Sequence, residues 1–148
     1  MENKTDKSID SYFKNCLYFT ANSLARSLTR LAEQEFGKIN MSPSQGFLLM
    51  LAVEKPGISQ KELGEQMNLA QSTVSRFADS LVRENMLEKK QEGKLALVYP
   101  TPKAKEEIEK VHTAWQKVYE EYSKVLGKDA GEKLTIETRR AFELLDSE

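Results

Sequence analysis

Between Gln71 and Arg76 the chain reads Gln-Ser-Thr-Val-Ser-Arg, placing short hydroxyls, a carboxamide and a guanidinium at helical spacing. Such groups hydrogen-bond readily and offer no obvious covalent chemistry. A guanidinium matches the two acceptors on a guanine edge and a carboxamide matches adenine, while serine hydroxyls serve bases or phosphates. Gln71, Ser72, Thr73, Ser75 and Arg76 therefore form a candidate reading face for double-stranded DNA, provided a helix presents them with its back buried. Ser59 and Gln60 open another helical run, where free amides and the helix dipole suit a phosphate. Lys89, Lys90 and Lys94 follow, placed to meet the backbone or the minor groove.

Other chemistries are poorly represented. No phosphate loop, no nucleophile with a base and no distinctive carboxylate pair occurs, so no catalytic residue and no enzymatic activity is expected. With one Cys and one His in the chain, a metal site built from those residues alone is excluded, and no metal or cofactor is expected. Cys16 lies on an apolar helix face. Packing as a small hydrophobe is the favoured reading, and a redox thiol is the alternative. His112 falls in an apolar stripe beside Trp115 and reads as a hydrogen-bonded interface histidine. Trp115, Tyr119 and Tyr122 read first as core or interface, and second as the lining of a ligand cleft.

Elements that would position the reading face follow from periodicity and caps. Ile9, Tyr12, Phe13, Cys16, Leu17, Thr20, Leu24, Leu28 and Leu31 recur at three- and four-residue steps, predicting one long helix from Ile9 to about Phe36. Ser42-Pro43 with Gln45 is a capping box, opening a helix that is apolar on nearly every side from Phe47 to Val53. Pro56-Gly57 breaks it. Ser59 with Glu62 is a second capping box, for a helix to about Met67. After a turn at Asn68-Leu69, a further helix runs from about Ala70 to Glu84, with Val74, Phe77, Ala78 and Leu81 inward. That pair is a helix-turn-helix. Met86–Gln91 and Lys94–Tyr99 read as the only two strands, around a turn at Glu92-Gly93. Thr101-Pro102 starts a long helix to Leu126, and a last helix begins near Asp129. A merely solvated polar face is the alternative for the Gln71–Arg76 run; the caps, the turn and the hairpin that follows weigh against it.

At 148 residues, with 39% apolar and 30% charged side chains, the chain is an ordinary globular length and composition. Its polar N-terminus predicts no secretory signal, and its longest apolar run falls far short of a membrane span. The lone cysteine fits a reducing cytoplasm. Net charge is −1, and from Ser59 to Lys94 six positive side chains face six negative ones. Any binding to DNA must therefore come from local arrangement, and its non-specific component should be weak and salt-sensitive.

The stretch ISQKELGEQMNLAQSTVSRFADSLVRENMLEKK resembles the reading head of the multiple antibiotic resistance regulator (MarR) family of winged helix-turn-helix transcriptional regulators, and the order of elements resembles that family over roughly Ile9 to Leu145. The resemblance implies a mainly α fold with a β-wing, a homodimer whose N- and C-terminal helices interlock, and a recognition helix for the major groove in each protomer. It also implies a small aromatic or lipophilic effector in the cleft between dimerisation helices and reading head. Two positions depart from the family pattern. Ala70 stands where a capping Ser or Asp is usual, so the turn is looser or the cap passes to Asn68. The wing is short and lacks the family's Asp-Arg pair, leaving Lys94 as the nearest substitute. Some relatives sense peroxide through a cysteine in the first helix, together with tyrosines such as Tyr12, Tyr119 and Tyr122, but Cys16 lies about two positions too early.

The sequence thus predicts one domain over 1–148, mainly α. It is a winged helix-turn-helix with long N- and C-terminal dimerisation helices (9–36 and 102–146) and one small β-hairpin wing in a DNA-binding region over 42–100. The expected function is a cytoplasmic, ligand-responsive repressor that binds a pseudo-palindromic operator as a homodimer, with no membrane partner. A thiol-redox regulator acting through Cys16 and a winged-helix protein-interaction module without DNA binding are the alternatives.

Overall fold

The structure is a computed structural model that describes residues 8–147. The polar N-terminal run behind the no-signal expectation lies largely outside the described residues. Among the described residues there are seven helices and one small sheet. In chain order they are α1 (Ile9–Asn15), α2 (Leu17–Gly37), α3 (Pro43–Glu54), β1 (Ile58–Ser59), α4 (Gln60–Met67), α5 (Gln71–Arg83), β2 (Leu87–Glu92), β3 (Leu95–Pro100), α6 (Pro102–Leu126) and α7 (Lys128–Asp146). This is the mainly helical, winged helix-turn-helix architecture expected. No helix among the described residues is long and apolar enough to cross a membrane.

The chain forms two compact units, Glu33–Glu120 and a second made of Met1–Ala32 with Glu121–Glu148. The first has a closed core. Leu48, Leu49 and Ala52 of α3, Leu63 of α4, Val74, Ala78 and Leu81 of α5, Val98 of β3 and Ala104 of α6 are all fully buried. At the end of α2, buried Phe36 meets Trp115 edge-on at 4.7 Å, and Trp115 stacks on Phe47 at 4.0 Å. Gly46 makes this possible, since a Cβ there would sit 2.4 Å from the Phe36 ring. The α3 capping box forms as expected: Ser42 Oγ accepts from Gln45 N and Gln45 Oε1 accepts from Ser42 N.

The second unit is much more open. α1 buries no residue, and Ile9, Leu17, Tyr18, Val125, Leu144 and Leu145 are all more than 60% exposed. Leu24, Leu28, Tyr122, Leu126, Leu134 and Phe142 line an apolar groove in this unit.

Three local expectations are corrected. The first helix is broken at Cys16, which adopts an extended backbone (φ −98°, ψ 118°) between α1 and α2. Its carbonyl accepts from both the backbone and hydroxyl of Thr20, so Cys16 acts as the start of α2 and lets Phe13 and Phe19 meet at 4.8 Å across the break. The sheet has a third strand, with order β1-β3-β2, because Ile58 and Ser59 pair antiparallel with Val98 and Leu97. The hairpin is also shifted: Glu92 pairs with Leu95, so the turn is Gly93-Lys94 rather than Glu92-Gly93. Gly93 takes φ 61°, as the first central position of a tight two-residue hairpin demands.

Candidate nucleic-acid interface

α4 starts at Ser59, whose Oγ accepts the Glu62 N–H at 3.1 Å. The reciprocal half of the expected second capping box is missing. The Glu62 carboxylate turns instead to Lys55 Nζ, at 2.6 and 2.9 Å, tying the end of α3 to the start of α4. Gln60 is half-buried, and its Nε2 is buried without a protein partner. Ser59 and Gln60 thus stand together at the helix start, but neither is fully open.

The turn to α5 depends on two residues. Asn68 takes the left-handed conformation (φ 54°, ψ 45°) and ends α4, with its N–H on the Gly64 carbonyl; asparagine tolerates that region better than most residues. The Leu69 N–H reaches the same carbonyl at 3.0 Å. Gly64 is needed because a Cβ there would lie 2.9 Å from the Leu69 carbonyl oxygen. Asn68 does not cap the next helix. Ala70 occupies the N-cap of α5 without any side-chain hydrogen bond, so the first-turn amides of α5 have no side-chain acceptor.

α5 divides cleanly. Val74, Ala78 and Leu81 are fully buried, and Gln71, Ser72, Arg76, Asp79 and Arg83 are exposed, with Thr73 and Ser75 half-buried at the boundary. The guanidinium of Arg76 lies 5.9 Å from the Phe77 ring centroid, and neither Arg76 nor Arg83 forms an ion pair among the described residues. Arg83, in the last turn of α5, is a further exposed cation of this helix, and its exposure is visible in the helical period.

The far end of α5 is tied down by polar contacts. Lys103 Nζ donates to the Glu84 carbonyl at 2.9 Å, and the buried Thr101 hydroxyl donates to the Asn85 carbonyl at 2.6 Å while accepting from Ala104 N. On its flank, Ser80 Oγ accepts from Gln45 Nε2 at 2.9 Å.

The three wing lysines separate. Lys89, on the strand face directed at α5, is ion-paired with Asp79. Lys90 lies over the Tyr99 ring at 5.0 Å, a cation–π contact that leaves its charge near the surface. Lys94 is exposed in the turn, which Gln91 braces through Nε2 to the Gly93 carbonyl at 3.0 Å. The structure therefore groups Gln71, Ser72 and Arg76 on one exposed face, keeps Lys90 and Lys94 available, and commits Lys89 to an internal contact. Elsewhere, Cys16 is a half-buried free thiol, His112 is exposed on α6, and the Trp115 Nε1–H is buried without a partner. Among the described residues no group of three or more His, Cys, Asp or Glu side chains is arranged to hold a metal ion.

A short, self-buried helix pair with a tight turn, followed by a hairpin packed on the second helix, defines a winged helix-turn-helix. Residues 41–93 match the model of the MarR family. It is 28% identical over 85 residues to YybA of Bacillus subtilis (strain 168), described as an uncharacterized HTH-type transcriptional regulator; the match spans 55% of this chain and 57% of that relative's length. Similar solved structures include the PcaV transcriptional regulator of Streptomyces coelicolor in complex with its natural ligand (TM-score 0.76, 19% identity, covering 88% of this chain and 94% of that one). A second is a putative MarR family transcriptional regulator of Listeria monocytogenes complexed with 26mer DNA (TM-score 0.71, 22% identity, 87% and 88%). A third is the S. aureus MepR–DNA complex (TM-score 0.73, 15% identity, 87% and 97%). At these identities the likeness is one of fold.

Proposed function

We propose that this protein is a sequence-specific DNA-binding transcriptional regulator that acts as a homodimer on a pseudo-palindromic operator and represses transcription from it. The observation that carries this reading is Arg76: an exposed guanidinium without an ion pair, on a helix whose opposite face is fully buried. A recognition helix needs that combination, because a rigid back fixes where the fork arrives at a base edge. Gln71, Ser72, Thr73 and Ser75 would share the major-groove contacts. Ser59, Gln60, Lys90 and Lys94 would meet phosphates, with Lys89 contributing only where its partner Asp79 releases it.

The dimer is supported by the open unit, where Ile9, Leu17, Tyr18, Leu144 and Leu145 leave more apolar surface in water than one small chain usually tolerates. A small aromatic or lipophilic effector would act on this dimer by shifting the population between spacings that do and do not fit the operator. The reading as a protein-interaction module without DNA binding draws on the committed Lys89 and the neutral charge of the head.

Selection of binding sites from random duplex DNA separates the two. Enrichment of a two-fold sequence supports the regulator, whereas failure to enrich any sequence at low salt, with the protein folded and dimeric, sinks it.

A further inference from the structure

Gln45 uses its carboxamide twice. Oε1 accepts the Ser42 N–H at 2.9 Å while Ser42 Oγ accepts the Gln45 N–H at 3.2 Å, so the start of α3 pins the side chain. The other end of the same planar group, Nε2, donates to Ser80 Oγ at 2.9 Å, on α5 and 35 residues further along the chain. Both residues are half-buried, where a hydrogen bond is stronger than in open water and costly to leave unmade.

The remaining hold on α5 is of a different kind. Val74, Ala78 and Leu81 anchor it by apolar burial, which is strong but non-directional. The Asp79–Lys89 pair lies at the surface, and the Lys103 and Thr101 contacts lie beyond the helix end. Gln45–Ser80 is the directional contact that joins the flank of α5 to α3. Ser80 is four residues past Arg76, one turn along the same side of the helix, so whatever fixes the phase of Ser80 fixes that of Arg76.

We propose that Gln45 is a positioning residue for sequence readout: held by the α3 cap, it sets the rotation of α5 through Ser80 and so determines which base edge Arg76 meets. The consequence for readout rests on the DNA-binding reading above; the hold on α5 does not.

The test uses Ser80→Ala, which removes the acceptor and leaves the α3 cap intact, and Ser80→Thr, which restores a hydroxyl. Two measurements are made on the full-length protein: amide hydrogen exchange without DNA, and titration against the selected duplex, its single-base variants and a random duplex. Ser80→Ala should speed exchange along α5 relative to α4. It should also lower discrimination at the base pair read by Arg76 about threefold or more, with affinity for random duplex unchanged. Ser80→Thr should return both to parental values. Parental exchange and discrimination in Ser80→Ala, a uniform loss over all duplexes, or no rescue by Thr would each overturn the proposal. If the parent itself selects no sequence, the DNA-binding reading fails, and exchange alone decides whether Gln45 holds α5.

Discussion

Lys89 of the wing and Asp79 of α5 form an ion pair, so a cation expected to face DNA is instead spent on a carboxylate of α5. The side chains are 28% and 50% exposed, and a pair so placed contributes ~0–1 kcal/mol to folding. Its larger effect is on the surface potential. Asp79→Asn should release Lys89, raise affinity for every duplex and steepen the salt dependence by about one unit for the added phosphate contact. Lys89→Ala should do the reverse, exposing a lone carboxylate. Titration at two salt concentrations checks both, and equal salt slopes in parent and variants would show that the pair has no electrostatic reach.

Arg76 and Lys94 are expected to differ in kind. Arg76→Ala should cost ~1–3 kcal/mol on the operator and relax preference at one base pair per half-site. Lys94→Ala should weaken all sequences alike and flatten the salt dependence by about one unit. A uniform loss for Arg76→Ala would make it a phosphate clamp and pass readout to Gln71, Ser72 and Ser75.

Gly64 offers a prediction against helix propensity. In a helix interior, alanine is favoured over glycine by ~1 kcal/mol. Here the new methyl would meet the Leu69 carbonyl at 2.9 Å, and backbone cannot yield as a flexible side chain does. Gly64→Ala should therefore destabilise the protein, by ~1–3 kcal/mol after partial relaxation, read as a lower urea midpoint. A rise in the midpoint would mean that the turn shifts freely.

The open unit should be closed by a second copy. Sedimentation at micromolar concentration should give a dimer, and Leu17→Glu together with Tyr18→Glu, both residues more than 60% exposed in the single chain, should give monomer with α3–α5 still folded. A parent that sediments as monomer would refute the expectation.

Local signals are legible in the sequence and distant ones are not. The Ser42 box, the Asn68 turn and the Thr101-Pro102 start each depend on residues within four positions, where side-chain type and backbone demand coincide. The break at Cys16 has no such mark: Tyr12, Phe13, Cys16, Leu17 and Thr20 keep helical step straight through it, with no Gly or Pro. β1 is two residues long, too short to show alternation. Glu62 has the spacing of a capping residue, yet Lys55, just past the end of α3, takes its carboxylate. Among the site residues, exposure of Gln71, Ser72 and Arg76 followed from the period of α5. The fate of Lys89 did not, since strand face and helix flank meet only in three dimensions.

The break at Cys16 leaves α1 as a helix of seven residues with nothing buried. Isolated helices shorter than ~12–15 residues are marginal in water, because nucleation outweighs the few bonds gained. The Phe13–Phe19 contact ties α1 to α2, and the second copy expected to close this unit should supply the rest of its order, so that its helicity becomes a gauge of occupancy: dilution should melt Ile9–Asn15 first, while Glu33–Glu120 keeps its structure.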